Sequence, residues 1–279
     1  MKTSAIELKR IANRMRQLIV EGVYSAQSGH PGGSLSICEI LSVLFFDEMS
    51  RDPKVPADPD RDRFVLSKGH AAPALYAALA VRGYFPEEDM KTLRQIDSHL
   101  QGHPSLGKTP GVDMSSGSLG QGLSAANGMA LNAKAKGLGY RVYCVCGDGE
   151  MQEGQIWEAI MTAAHYKLDN LVLFVDNNGL QIDGKVSDVM NDLPMAQRLA
   201  AFGWNTLEID GHDVEAIGEA LAKARETKDA PTAIVCRTVK GKGVSYMEDQ
   251  VGWHGSAPNA EQYEIAMAEL KKEEEVLHG

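Results

Sequence analysis

A chain of 279 residues, 43% of them hydrophobic, can bury a sizeable core in one large α/β domain, or at most two. A formal net charge of −10 and an isoelectric point near 5.3 argue against a nucleic-acid partner and fit an ordinary cytoplasmic enzyme. The N-terminus, Met1 to Glu7, lacks the apolar core of a signal peptide, and no apolar run approaches the ~20 residues of a membrane helix.

Apolar spacing at Leu8, Ile11, Met15, Leu18, Ile19 and Val23 predicts a helix from Ser4 to Gln27. Ser28-Gly29-His30-Pro31-Gly32-Gly33-Ser34 stops it, and a second helix is expected from Leu35 to Asp47. Asp52 to Asp62, with Pro53, Pro56 and Pro59, is a polar connector. Arg63 to Leu66 reads as a short strand ending at Ser67-Lys68-Gly69-His70. Ala71 to Arg82 is a strong helix former, so His70 falls at a strand-to-helix junction. Asp97 to Ser118 lacks apolar periodicity and is long for a loop; such loops are functional or disordered. It contains Gly102-His103-Pro104. Ser116-Gly117-Ser118-Leu119-Gly120-Gln121-Gly122 then leads into a helix from Leu123 to about Lys136, and glycines before a helix N-terminus are a weak anion-site signal.

The central stretch is the most informative. Arg141 to Cys146 is an apolar run of the kind a buried strand shows. Gly147-Asp148-Gly149-Glu150 follows, then a helix from Gln155 to Lys167 with Ile156, Ile160, Met161 and Ala164 at helical spacing. Leu171 to Val175 is the next strand, closed by Asp176-Asn177-Asn178-Gly179. A right-handed crossover puts both strand ends on one edge of a parallel sheet, so Asp148 and Asn178 land close together. A carboxylate and an amide carbonyl are hard oxygen ligands, placed where open α/β sheets bind ligands. They suit Mg²⁺ or Ca²⁺, and Mg²⁺ is usually held by one or two protein oxygens plus substrate phosphates. Gly147 and Gly149 let the backbone approach an anion closely. The inference is a metal-bridged diphosphate. A lone Gly-Asp-Gly is a common turn, and a dinucleotide fingerprint fails because Gln152 stands at its third glycine.

Asn205 to Ile209 is a further strand, ending at Asp210-Gly211-His212-Asp213, with Asp213 as N-cap of a helix to Thr227. Asp210 and His212 read as turn residues. Thr232 to Cys236 is the last strand. Beyond it come Lys240-Gly241-Lys242-Gly243, a loop to Trp253-His254-Gly255, and a charged amphipathic helix from Glu261 to Leu277. Alternating strands and helices make the class α/β, a mainly parallel sheet flanked by helices. Cys38, Cys144, Cys146 and Cys236 lack zinc-ligand spacing and read as buried free thiols. His30, His70, His103 and His254 all fall in loops. Imidazoles there would suit a polyhydroxylated substrate that needs several proton transfers.

Gly-Asp-Gly followed at this spacing by Asn-Asn at a strand end resembles the thiamine diphosphate (ThDP) motif of transketolases and decarboxylases. With Ser28 to Gly32, Ser67 to Ala71, Gly102-His103-Pro104, Gly117 to Gly122, Asp210 to Asp213 and Trp253-His254-Gly255, essentially the whole chain resembles the N-terminal, diphosphate-binding part of a transketolase. The resemblance implies a ThDP-binding PP-type fold over residues 1–279 as a single domain. It implies Mg²⁺ (with Ca²⁺ or Mn²⁺ as substitutes) on Asp148, Asn178 and the backbone carbonyl of Leu180. It places ThDP against His70, Gly117, Ser118, Leu119, Gly149, Asn178, Lys240 and His254. It gives Glu153 a part in a carboxylate relay to the partner's active site, and has His30, His103 and His254 meet the sugar and move its protons. Where many relatives have a Ser or Thr shortly after the first His-Pro, this chain has Gly32-Gly33.

Nothing in the chain resembles the pyrimidine-binding or C-terminal domain of a full transketolase. A split enzyme is therefore expected, with a partner subunit carrying both domains, in an α₂β₂ assembly. The implied reaction is transfer of a two-carbon ketol unit from a ketose phosphate to an aldose phosphate, as in pentose phosphate metabolism. Rivals are a ThDP-dependent chain that works on a sulfo-sugar or a branched sugar, a deoxyxylulose-phosphate synthase-like fragment, and a ThDP-binding subunit without catalysis.

Overall fold

A computed structural model describes residues 2–182, 184–190 and 194–279, and every predicted site residue lies among them. The central sheet has five strands: β1 (Arg63–Leu66), β2 (Val142–Gly147), β3 (Leu171–Asn177), β4 (Asn205–Asp210) and β5 (Thr232–Arg237). Their spatial order is β1-β2-β3-β5-β4 and every pairing is parallel. Helices supply the crossovers and cover both faces, as parallel strands require. They are α1 (Ala5–Ala26), α2 (Cys38–Val43), α3 (Ala72–Arg82), α4 (Gly122–Lys136), α5 (Gly154–His165), α6 (Met195–Ala201), α7 (Val214–Glu226) and α8 (Ala260–His278).

Side chains alternate along each strand and so build two cores. Phe64, Leu66, Tyr143, Val145, Val172 and Phe174 point into the larger one, under α1, α2, α3 and α7. Val65, Val142, Cys144, Cys146, Leu173 and Val175 point into the other, under α4 and α5. Cys144 and Cys146 accordingly share a face; all four cysteines are buried and free. Among the described residues no helix is long and apolar enough to cross a membrane.

The expected Leu35 to Asp47 helix is broken. A four-residue turn of helix spans Gly32–Leu35, α2 starts at Cys38, and the wider turn Leu44–Glu48 follows. The break falls at Ile37, with φ −111° and ψ 12°, next to Ser36, whose hydroxyl donates to Asp176 at 2.8 Å at the tip of β3. That bond ties the turn of helix beside the break to the sheet. The long segment from Asp97 to Ser118 is irregular but tethered. The Tyr76 hydroxyl donates to the carbonyls of Gln101 and His103, and Thr109 Oγ1 to that of His99.

Candidate active site

Residues 147 and 176 sit side by side in the register of β2 and β3, so both strands end together. Asp148 is buried just beyond β2. Its Oδ1 accepts from Gly149 N at 2.8 Å and its Oδ2 from Gly179 N at 2.5 Å, bringing the two strand tips into contact. Asn178 donates through Nδ2 to Asp176 at 2.9 Å, which fixes the amide and leaves Oδ1 as the outward acceptor, shared with Leu180 N at 3.1 Å. Lys240 Nζ lies 3.4 Å from the Leu180 carbonyl and 2.9 Å from His254 Nδ1.

These groups line a cavity of about 520 Å³, within the usual range of small-molecule sites. Of the residues singled out in the sequence, His30, His70, Gly117, Leu119, Asp148, Gly149, Glu153, Asn178, Leu180, Lys240 and His254 line it. Ser118 and His103 do not; both are exposed, although the His103 ring is 6.4 Å from that of His30. The His30, His70 and His254 rings form a cluster with centroids 5.0 to 5.5 Å apart.

Electrostatics separate the floor of the cavity from its wall. Burial, with Arg94, His103 and Lys240 nearby, lowers His30 to about 4. Burial and Lys240 lower His254 likewise to about 4. Burial and Lys68 push His70 well below its ordinary value, and His103 is lowered by burial and Arg94. All four rings are therefore neutral at pH 7, each with one donor and one acceptor nitrogen. Lys240 is lowered to about 8 by burial and by Lys68. Asp148 moves the other way, to about 7, because it is buried beside the Asp176 carboxylate.

A buried carboxylate raised in this way is short of positive charge, and a divalent ion would supply it. Among the described residues no group of three His, Cys, Asp or Glu side chains could hold a metal alone. Asp148, Asn178 Oδ1 and the Leu180 carbonyl instead form an all-oxygen, incomplete set. Such a set suits Mg²⁺ completed by the oxygens of a bound phosphate ester. The residues present thus fit a metal-bridged diphosphate.

Comparison with known proteins agrees. The family described as transketolase, thiamine diphosphate binding domain, matches residues 7–274. The chain belongs to the transketolase family. It is 45% identical to the 6-deoxy-6-sulfo-D-fructose transketolase subunit of Clostridium sp. (strain MSTE9), over 98% of this chain and 99% of that one. Identity is 44% to an apulose-4-phosphate transketolase subunit of Phocaeicola vulgatus, over 99% and 98%. The transketolase of Campylobacter jejuni superposes with a TM-score of 0.85 at 34% identity, covering 99% of this chain and 48% of that one. Mouse transketolase is 47% identical over 89% of this chain but only 39% of its own length. The fold is therefore that of the ThDP-binding part of a transketolase.

Several buried groups that organise this transketolase site escaped the sequence reading. Asp176 accepts from Ser36, Asn178, Thr238 and, at 2.5 Å, Lys68. Although burial opposes ionisation, Lys68 and these hydroxyl donors hold its carboxyl below the usual range. Glu150 accepts from Ser67 Oγ at 2.5 Å, Gly120 N at 3.0 Å and Gly147 N at 3.1 Å. The Gly120 N–H, expected to serve an anion before α4, is thus already taken. Gly32 has a steric reason: a Cβ there would meet the Trp253 carbonyl at 2.9 Å and Lys240 Cγ at 3.1 Å. His212 does lie in the turn after β4, as read, and its ring also bridges Glu39 and the Val239 amide, which the sequence did not show. The one available signal was a charged residue directly abutting an apolar strand, as at Lys68 and Asp176.

Proposed function

We propose that residues 1–279 form a single PP-type domain, the ThDP-binding subunit of a two-chain transketolase. In this reading the chain is cytoplasmic, a partner subunit supplies the pyrimidine-binding and C-terminal domains, and the pair doubles to α₂β₂. The reaction is transfer of a two-carbon ketol unit from a ketose phosphate to an aldose phosphate. The observation that carries the reading is the juxtaposition of Asp148, Asn178 and Leu180 with the neutral cluster of His30, His70 and His254 in one cavity. End-to-end similarity to two relatives named as subunits supports the division into two chains.

Asp148, Asn178 and the Leu180 carbonyl would hold Mg²⁺, with Ca²⁺ or Mn²⁺ as substitutes. His70, Gly117, Ser118, Leu119, Gly149, Asn178, Lys240 and His254 would hold ThDP. When bound, ThDP supplies the carbon nucleophile and the electron sink for breaking and making a carbon–carbon bond. The chain's own work is binding and proton movement. His30, neutral at pH 7, can accept a proton from a sugar hydroxyl. His254, whose Nδ1 accepts from the Lys240 ammonium, keeps its ring proton on Nε2 and offers it as a donor. His103, exposed with its ring 6.4 Å from that of His30, would meet the sugar as well and move its protons. Lys240 sets a positive charge beside the Leu180 carbonyl, where a diphosphate would lie. Glu153, which lines the cavity, would form part of a carboxylate relay to the partner's active site.

A second reading of the substrate follows from the names of the two subunit relatives: a sulfo-sugar or a branched sugar in place of a pentose phosphate. One assay separates these. The chain, co-purified with its partner subunit and loaded with ThDP and Mg²⁺, is offered xylulose 5-phosphate, 6-deoxy-6-sulfo-D-fructose or apulose 4-phosphate as donor, with an aldose phosphate acceptor. Sedoheptulose 7-phosphate from xylulose 5-phosphate and ribose 5-phosphate is the expected product. Turnover of only one of the other donors moves the assignment to that sugar, and no ketol transfer from any donor overturns the reading.

A further inference from the structure

A second polar chain runs beneath the loop that carries Lys240. Arg16 on α1 and Glu39 on α2 are both buried, and the guanidinium donates to Glu39 Oε2 at 2.7 Å. His212, in the turn after β4, lies with Nδ1 2.9 Å from the same oxygen. Its other nitrogen, Nε2, accepts from the Val239 amide at 2.9 Å. That acceptor role leaves the ring proton on Nδ1, pointing at the carboxylate. Burial alone would raise the Glu39 carboxyl, but Arg16 and His212 hold it down at about 2, so the anion is permanent at neutral pH.

The loop from Thr238 to Gly243 rests on this chain at both ends. His212 grips it at Val239, one residue before Lys240. At the far end Gly243, with φ +91°, lies so close to Arg16 that an added Cβ would meet Arg16 Cδ at 2.9 Å. Between them, Gly241 N donates to the Gly32 carbonyl at 2.9 Å. Among the described residues, Arg16 Nε is buried with no hydrogen-bond partner. An unpaired buried donor is costly, and an apolar side chain of similar volume would serve packing better.

We propose that Arg16, Glu39 and His212 are positioning residues for Lys240: they fix the backbone at Val239 and thereby the point at which the Lys240 ammonium meets His254 and the Leu180 carbonyl. None of the three lines the cavity itself. The proposal rests on the reading of that cavity as the ThDP–metal site. It differs from a stabilising staple between β4 and α2, which would leave cofactor affinity alone.

The test uses the full chain with its partner subunit, as wild type, Glu39→Gln and His212→Ala. Amide hydrogen exchange is followed by mass spectrometry, and ThDP is titrated calorimetrically in excess Mg²⁺. Exchange across residues 238–243 is expected to quicken in both variants while β2 and β3 stay protected, with ThDP bound about tenfold more weakly, the size of effect that lost outer-shell partners typically have. Unchanged loop exchange in Glu39→Gln overturns the proposal. So does faster loop exchange with ThDP affinity equal to wild type, which leaves the chain a staple only. Should His212→Ala unfold, Glu39→Gln, which keeps the shape of the side chain, decides alone. Wild type that binds no ThDP refutes the cofactor reading, and with it the proposal, whereas the exchange arm still reports separately whether the three residues hold the loop.

Discussion

Lys68 is a cation almost wholly removed from water, and one carboxylate, Asp176, faces it at 2.5 Å. Removing one partner of such a pair leaves the other charge uncompensated. Lys68→Met is therefore expected to lower stability by about 3–5 kcal/mol in urea unfolding, and Lys68→Met with Asp176→Asn to recover part of that loss. A Lys68→Met chain as stable as wild type would show that Asp176 is held by Ser36, Thr238 and Asn178 alone. The histidines set a pH dependence. His30 and His254 titrate near 6.5 when unfolded and near 4 when folded, because burial and neighbouring cations disfavour their charged forms. The unfolded chain takes up protons first, so stability falls as the pH drops from about 6.5 to about 4. Glu39, lowered from 4.5 to about 2 despite its burial, adds a further loss between those values. His70, pushed down further by burial and Lys68, and His103 add to the same window, while Asp148, raised to about 7, opposes them. Replacing His30 and His254 by Gln should therefore make the upper window shallower and leave the lower one; an unaltered upper window would contradict these shifts.

At the scale of elements, the strands and most helices were legible because their signals are local. Period and turn residues placed β1, β2, β3, β4 and β5 to within one or two residues, and the strand–helix–strand order fixed which tips meet. The broken Leu35 to Asp47 helix was not legible, since the chain leaves the helical region at Ile37 where its neighbour Ser36 bonds a carboxylate on a distant strand. Lys68, Glu150 and Asp176 were missed for the same reason: each matters through partners far away in sequence. Close approach between elements is likewise invisible locally. Gly122 begins α4 so near β1 that a Cβ would stand 2.5 Å from Ser67 Cβ and Oγ. Gly122→Ala must push α4 away and loosen the Ser67 bond to Glu150. A loss of about 1–3 kcal/mol is expected from such overpacking, read as a lower Tm. An unchanged Tm would mean that α4 shifts without cost.

For the molecule as a whole, the resemblance seen in the sequence extends to the fold, and the crevice lies at the carboxyl ends of the strands, as in other open parallel sheets. The match to one-chain transketolases covers less than half of their length, 39% for the mouse protein and 48% for that of Campylobacter jejuni. The proposed partner would fill the remainder and close the cavity over Glu153 and the histidines. The two chains, co-expressed, should elute together in gel filtration; a chain that runs alone under all conditions would count against the pair. The most direct measurement concerns Asp148. ThDP is titrated calorimetrically into the chain and its partner subunit, once with Mg²⁺ and once with EDTA, for wild type and Asp148→Ala. Binding to wild type with Mg²⁺, abolished by EDTA and weakened at least about tenfold by Asp148→Ala, is the expected result. Binding of equal strength in EDTA or in Asp148→Ala, or no binding to wild type at all, would contradict a metal-bridged diphosphate at the tips of β2 and β3.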